Sequence, residues 1–191
     1  PLDNYDNVIR FLELVGSPDN LNIGYRHISL STCGVVPGIL KLAEEKYPIT
    51  LSISLHATND ETRSAIMPVN NKWPIEELLA ACVDYYKATR RRISFEYTLI
   101  AGKNDTEEGA RALASLLKNA FRGTDAPLHV NLIRVNAVEE TGMKQGSVEG
   151  ANRFAEVLNS LGVVATVRRR LGSAVNAACG QLRIKAEKTE R

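Results

Sequence analysis

Cysteine is scarce: 191 residues contain 3, at Cys33, Cys82 and Cys179. They are odd in number, far apart and never form a CxxC pair. A disulfide framework is excluded, and these thiols by themselves cannot supply the four thiolates an iron–sulfur cluster usually needs. A reducing cytoplasm is the compartment this usage predicts. No apolar run approaches the ~20 residues of a membrane span, so neither membrane association nor a signal peptide is expected. Also missing are GxxxxGK[ST], GxGxxG after a strand, HExxH and GxSxG. Their absence removes the commonest phosphate cradles, the zinc-protease helix and the hydrolase elbow.

What is present is ordinary for a globular protein, with 44% hydrophobic and 24% charged residues. The length can bury a sizeable core, and without linkers or low-complexity segments one domain over 1–191 is expected. The chain begins at Pro1, without an initiator Met. The net charge of +2 hides a gradient: residues 163–191 hold seven Lys/Arg against two Asp/Glu. Arg168, Arg169 and Arg170 are consecutive, and Arg183 follows. Such an end is either a solubilising tail or a patch for phosphates, whose binding would depend on salt.

Hydrophobic periodicity alternates between strand and helix. Val8, Phe11, Leu12 and Val15 form a helical face closed by Gly16. His27–Ser31 reads as a strand, followed by a helix with Ile39, Leu42 and Ala43. Ile49–His56 reads as a second strand, and Pro74 opens a helix with Ile75, Leu78, Leu79, Cys82 and Tyr86 on one side. Ile93–Ile100 is a third strand. Asp105 with Glu108 suggests a capping box ahead of Leu113, Leu116 and Leu117. Leu128–Val135 is a fourth strand, Phe154–Leu161 a helix stopped by Gly162, and Val163–Arg168 a fifth strand. Five strands separated by helices predict right-handed βαβ units and a parallel sheet, too short for an eight-fold barrel. The expected class is α/β, an open sheet or a partial barrel.

In such folds ligands bind at the carboxyl ends of the strands. The polar residues there are Ser31 and Thr32, Ser54 and His56, Glu96 and Tyr97, and Asn131 with Asn136. Any one is ordinary hydrogen-bonding filler; together they could grip a polar small molecule. Cys82 lies on an apolar stripe and reads as a packed hydrophobe. Cys33, in a Ser-Thr-Cys-Gly turn, is open to either reading, packing being the simpler. Cys179, in Asn-Ala-Ala-Cys-Gly-Gln, sits among small residues after three arginines, where positive charge favours thiolate. It is the candidate reactive thiol.

Pro1–Asn4, RHISLSTCGVVPGI (26–39), LSISLHATNDETR (51–63), VNLIRVN (130–136) and AACGQLR (177–183) together resemble the RlmN/Cfr family of radical S-adenosylmethionine (SAM) enzymes that methylate RNA adenine. The similarity runs nearly end to end, and is closer to the branch acting on adenine C2 of 23S rRNA and tRNA than to the C8 branch. The resemblance implies a partial (β/α)6 barrel, present here as about five strands because its N-terminal side is missing. It implies that SAM contacts Ser31, Ser54, Leu55, His56 and Asn136. It further implies that Cys179 carries a methyl group as S-methylcysteine, that a radical generated from a second SAM activates it, and that a second cysteine resolves the adduct by forming a disulfide. The [4Fe–4S] cluster for that radical and a flavodoxin-type electron donor belong to the full-length enzyme, with a CxxxCxxC loop expected upstream of Pro1. On this reading the chain is a C-terminal part, inactive alone, whose segment 163–191 faces RNA through Arg168, Arg169, Arg170 and Arg183. Three positions depart from the family: Ala174-Val175 replaces the usual Asp-Ile, and Arg134 stands where proline is common. Two other readings are a non-catalytic RNA-binding module and a partial-barrel metabolic enzyme with His56 as general base.

Overall fold

The computed structural model describes residues 1–134 and 146–168. In chain order the regular elements are α1 (Tyr5–Gly16), β1 (Ser29–Thr32), α2 (Val36–Glu45), β2 (Thr50–Ser54), α3 (Asp60–Ile66), α4 (Ile75–Thr89), β3 (Ile93–Leu99), α5 (Glu107–Ala120), β4 (His129–Arg134), α6 (Val148–Ser160) and β5 (Val164–Val167). All four strand pairings are parallel, and the five strands lie in sequence order, β1-β2-β3-β4-β5. Right-handed crossovers between strands added always on the same side place the connecting helices on one face. This one-sided α/β arrangement is that of a partial barrel.

The register separates polar from apolar residues with a period of two. Thr32, Ile53, Phe95, Val130 and Ala165 form one row, and Tyr97, Leu132 and Val167 continue it. Ile53, Phe95, Tyr97, Val130 and Leu132 are buried. The helices cover this face: Phe154 of α6 stacks on Tyr97, with ring centroids 5.7 Å apart, and Phe121 after α5 meets Phe95 edge-on at 5.9 Å. Ile39 and Leu42 of α2 and Leu78 and Cys82 of α4 complete one continuous core. The opposite face carries Ser31, Ser52, Ser94 and His129 in one row and Ser54, Glu96, Asn131 and Thr166 in the next.

The helical stripes expected at Ile39/Leu42/Ala43, at Ile75/Leu78/Leu79/Cys82/Tyr86 and at Phe154/Leu158 are buried as expected. Four local expectations are corrected. Phe11 turns outward, 59% exposed, while Leu12 and Val15 anchor α1. β1 starts at Ser29, because residues 25–27 form a 3-10 turn. α5 is capped by Thr106, whose hydroxyl accepts from the Gly109 N–H at 3.1 Å, while Asp105 instead accepts from the Gly102 N–H at 2.9 Å. A sixth helix, α3, was not expected. Asn59 caps it by accepting from the Thr62 N–H at 2.8 Å, and Asp60 and Glu61 occupy its first turn, where the helix dipole favours negative charge. No helix among the described residues is long and apolar enough to cross a membrane.

Candidate functional site

Ser31 lies near the carboxyl end of β1, and the neighbouring β2 ends at Ser54, followed by Leu55 and His56. β1 ends in a turn where the Thr32 hydroxyl accepts from the Gly34 N–H at 3.2 Å. Gly34 has φ +103°, and a Cβ there would stand 3.0 Å from Leu78 and 3.3 Å from Arg63. β2 ends in a sharper turn. The N–H groups of Leu55 and His56 both donate to the Glu96 carbonyl, at 3.1 and 3.2 Å, and His56 takes φ +59°. That left-handed conformation is uncommon outside glycine and marks a backbone held by its surroundings. The Leu55 side chain is wholly buried, so its part in any contact with a ligand is through the backbone.

Arg63 does the holding. Its side chain is fully buried. Nε donates to the Leu55 carbonyl at 3.1 Å, one terminal nitrogen to Asn70 Oδ1 at 2.8 Å, and the other to the carbonyls of Cys33 at 2.7 Å and Ser54 at 3.0 Å. Asn70 is itself fixed by donating to Asp60 Oδ1 at 3.0 Å and Ser64 Oγ at 2.9 Å. The planar fork of an arginine suits this job, since it satisfies several carbonyls from one rigid group.

Further along the polar face five side chains form a ring. The Asn131 amide donates to Glu96 Oε2 at 2.8 Å, and Ser94 Oγ lies 3.5 Å from Glu96 Oε1. Ser94 Oγ is 2.8 Å from His129 Nδ1, Thr166 Oγ1 is 3.3 Å from His129 Nε2, and the Thr166 hydroxyl donates to Asn131 Oδ1 at 3.4 Å. One proton orientation of a neutral His129 makes these a continuous donor chain from Ser94 to Glu96.

Charge on this face is governed by burial. Desolvation, aided by the Arg63 cation, lowers His56 to about 4, so its ring is neutral at neutral pH. Nδ1 lies 3.2 Å from the Thr98 N–H and accepts from it, which puts the ring proton on Nε2. Burial raises Glu96 above the ordinary carboxylate range, opposed by the Asn131 and Ser94 hydrogen bonds and by Arg168. Burial, with Arg92, lowers His129.

Of the residues expected from sequence, Ser31 lies on β1 opposite Ser52, Ser54 ends β2, and Leu55 and His56 follow it in the turn. Arg168 is exposed at the end of β5, its N–H donating to the Leu132 carbonyl at 2.9 Å. Asn136, Arg169, Arg170, Cys179 and Arg183 lie outside the described residues, as do Ala174 and Val175. Cys82 is buried and its thiol pushed up by desolvation, in keeping with a packing role. Cys33 is half-buried, and both thiols are free. Among the described residues no cluster of three His, Cys, Asp or Glu side chains could hold a metal ion. Sequence reasoning missed Arg63 altogether and did not join Ser94, His129 and Thr166 to Glu96 and Asn131.

No family model matches the chain. Individual relatives do. A probable dual-specificity RNA methyltransferase RlmN of Clostridium botulinum is 52% identical over 190 residues, covering 100% of this chain and 53% of that protein. One from Clostridium perfringens is also 52% identical, over 183 residues, covering 96% of this chain and 51% of that protein. By sequence, the chain belongs to the RlmN family. A radical SAM methyltransferase from Sphaerobacter thermophilus has the same fold, with a TM-score of 0.86 and 43% identity over 95% of this chain and 51% of that one. A domain of a pyruvate-formate lyase-activating enzyme from Bacteroides vulgatus shares the fold alone, with a TM-score of 0.62 at 19% identity over 88% of this chain and 94% of that one. The chain thus spans about half the length of the curated RlmN relatives it matches.

Proposed function

We propose that this chain is the SAM-binding and RNA-facing part of an RNA methyltransferase acting on adenine C2 of 23S rRNA and of tRNA. The observation that carries the reading is a polar sheet face that the described helices leave uncovered, with Ser31, Ser54 and His56 toward its carboxyl rim, on a chain 52% identical to an RlmN-named protein. The C2 position is preferred to C8 because the relatives carry the RlmN name.

The residues present suit SAM. The Ser31 and Ser54 hydroxyls and the Nε2–H of His56 are neutral donors for hydroxyl, carboxylate or purine acceptors, and Glu96 and Asn131 offer acceptors for amino or hydroxyl groups. Bound there, SAM supplies an electrophilic methyl group and a carbon–sulfur bond that one electron can cleave. The described residues do not suit a [4Fe–4S] cluster, since they hold two separate thiols, Cys33 and Cys82. In this reading the cluster and the flavodoxin-type donor belong to the rest of a cytoplasmic enzyme.

The protein's own contributions follow from placement. The rigid rim orients the ligand, and Ser52 and Ser94, both buried, form the least solvated part of the floor, where a hydrogen bond is stronger than in water. Cys179 is assigned the role of methyl carrier. A thioether can hold a methyl group against the base, where an electron-poor aromatic carbon resists a polar methyl donor. Segment 163–191 is assigned to RNA phosphates, with Arg168, Arg169, Arg170 and Arg183 making the approach salt-dependent.

The test is Cys179→Ala in the protein that carries this chain. RNA methylation is expected to vanish with RNA binding intact, and the wild type should show a methyl mass on the Cys179 peptide after incubation with SAM. Methylation by the alanine variant at the wild-type rate would remove Cys179 from the reaction.

A further inference from the structure

Arg63 is a fully buried cation with four hydrogen bonds, every one to a neutral oxygen: the carbonyls of Cys33, Ser54 and Leu55 and the amide oxygen of Asn70. Among the described residues no carboxylate lies within salt-bridge distance of it. Burying an arginine unpaired is costly, and a lone structural hydrogen bond would not justify it. What the position offers is reach. One guanidinium grips the end of β1 and the end of β2 together, on the two turns that present Ser31 and Ser54-Leu55-His56. Gly34 leaves room for it, with a Cβ there predicted 3.3 Å from the guanidinium.

The consequence falls on His56. Its backbone, at φ +59°, lies immediately after the Leu55 carbonyl that Arg63 holds, and its N–H is tied to the Glu96 carbonyl at 3.2 Å. Its ring accepts the Thr98 N–H at Nδ1, 3.2 Å away, and among the described residues nothing accepts from Nε2. We propose that Arg63 is a positioning residue for this site, locking the β1 and β2 turns so that His56 presents Nε2–H as a fixed, uncharged donor to an acceptor atom of a nucleoside ligand. The identity of that ligand rests on the SAM reading above; the clamp does not. A neutral donor suits a sulfonium-bearing nucleoside, because an imidazolium there would repel it.

The ring nitrogens of His56 report the clamp directly. In 15N-labelled full chain at pH 7, the ring is expected to show the neutral tautomer with hydrogen on Nε2; a cationic ring or hydrogen on Nδ1 would overturn the proposal. Asn70→Ala removes one of the four acceptors and serves as the mild variant, with Arg63→Lys as the severe one. With the fold retained by circular dichroism, Asn70→Ala should shift the His56 signals and weaken SAM binding, measured by calorimetry, by about tenfold. Unchanged His56 signals in Asn70→Ala, with SAM bound as in the wild type, would reduce Arg63 to packing. If Arg63→Lys does not fold, Asn70→Ala decides. A wild type with the expected tautomer and no affinity for SAM would leave the clamp standing and overturn the nucleoside reading.

Discussion

On one face of the sheet Leu51, Ile53, Phe95, Tyr97, Val130 and Leu132 lose nearly all contact with water to the helices. One residue along each strand, Ser31, Ser54, Glu96, Asn131 and Thr166 keep part or all of theirs. The first face is redundant: many contacts of the same kind, none chemically special, summing to the stability of the domain. The second is specific. Glu96, Asn131 and Thr166 each have two named partners, two of the face's ionisable groups, Glu96 and His129, are shifted by burial, and little apolar area is at stake. Parallel sheets usually bury both faces. Leaving one polar and uncovered by the described helices forgoes stabilisation, which is intelligible when that face is a binding floor.

The comparison can be broken from its strong side first. Phe154→Ala removes the ring stacked on Tyr97 and should lower the unfolding free energy in urea by about 3–5 kcal/mol. A loss under about 1 kcal/mol would mean that the helices do not secure the apolar face. Next comes the rim. His56, lowered from 6.5 to about 4, is neutral in the folded state and readily protonated in the unfolded state. Its contribution is therefore complete above about pH 6.5 and is lost as pH falls toward 4, costing about 3 kcal/mol across that window. Urea titrations at stepped pH should show this decline in the wild type and a shallower one in His56→Gln; parallel curves would place the acid sensitivity elsewhere. The smallest effect is on the polar face. Glu96→Gln removes a carboxylate whose burial is unfavourable, and should raise stability by about 0.5–1 kcal/mol at pH 7 while weakening ligand binding. A variant both less stable and fully able to bind SAM would erase the division of labour between the faces.

Most of the secondary structure was legible because it is repetitive. Strands at Thr50–Ser54 and Ile93–Leu99, and helices with i, i+3, i+4 stripes, announce themselves through period alone. α3 escaped because Asp60–Ile66 is a seven-residue helix without a stripe, held by its Asn59 cap and by Arg63. The cap of α5 moved by one residue because Asp105 and Thr106 are both good capping residues, and only the loop decides between them. The site was half legible. Polar residues at strand ends pointed to the rim at Ser31, Ser54 and His56. The polar rows through Ser52, Ser94 and His129 were not read, because joining these residues into one face requires the sequential strand order. Arg63 was not legible, since an arginine after two acidic residues reads as a solvent-facing helix position.

The strand order has one more consequence. Because each strand pairs with the next one in the chain, every βα unit finds its partner as soon as it is complete. The sheet can grow by accretion behind a moving end, with short loops to close and no strand inserted between two already paired. A chain leaving the ribosome could lay down β1, β2 and the Arg63 clamp before β4 and β5 exist, so that the rim is finished first and the floor is added to it.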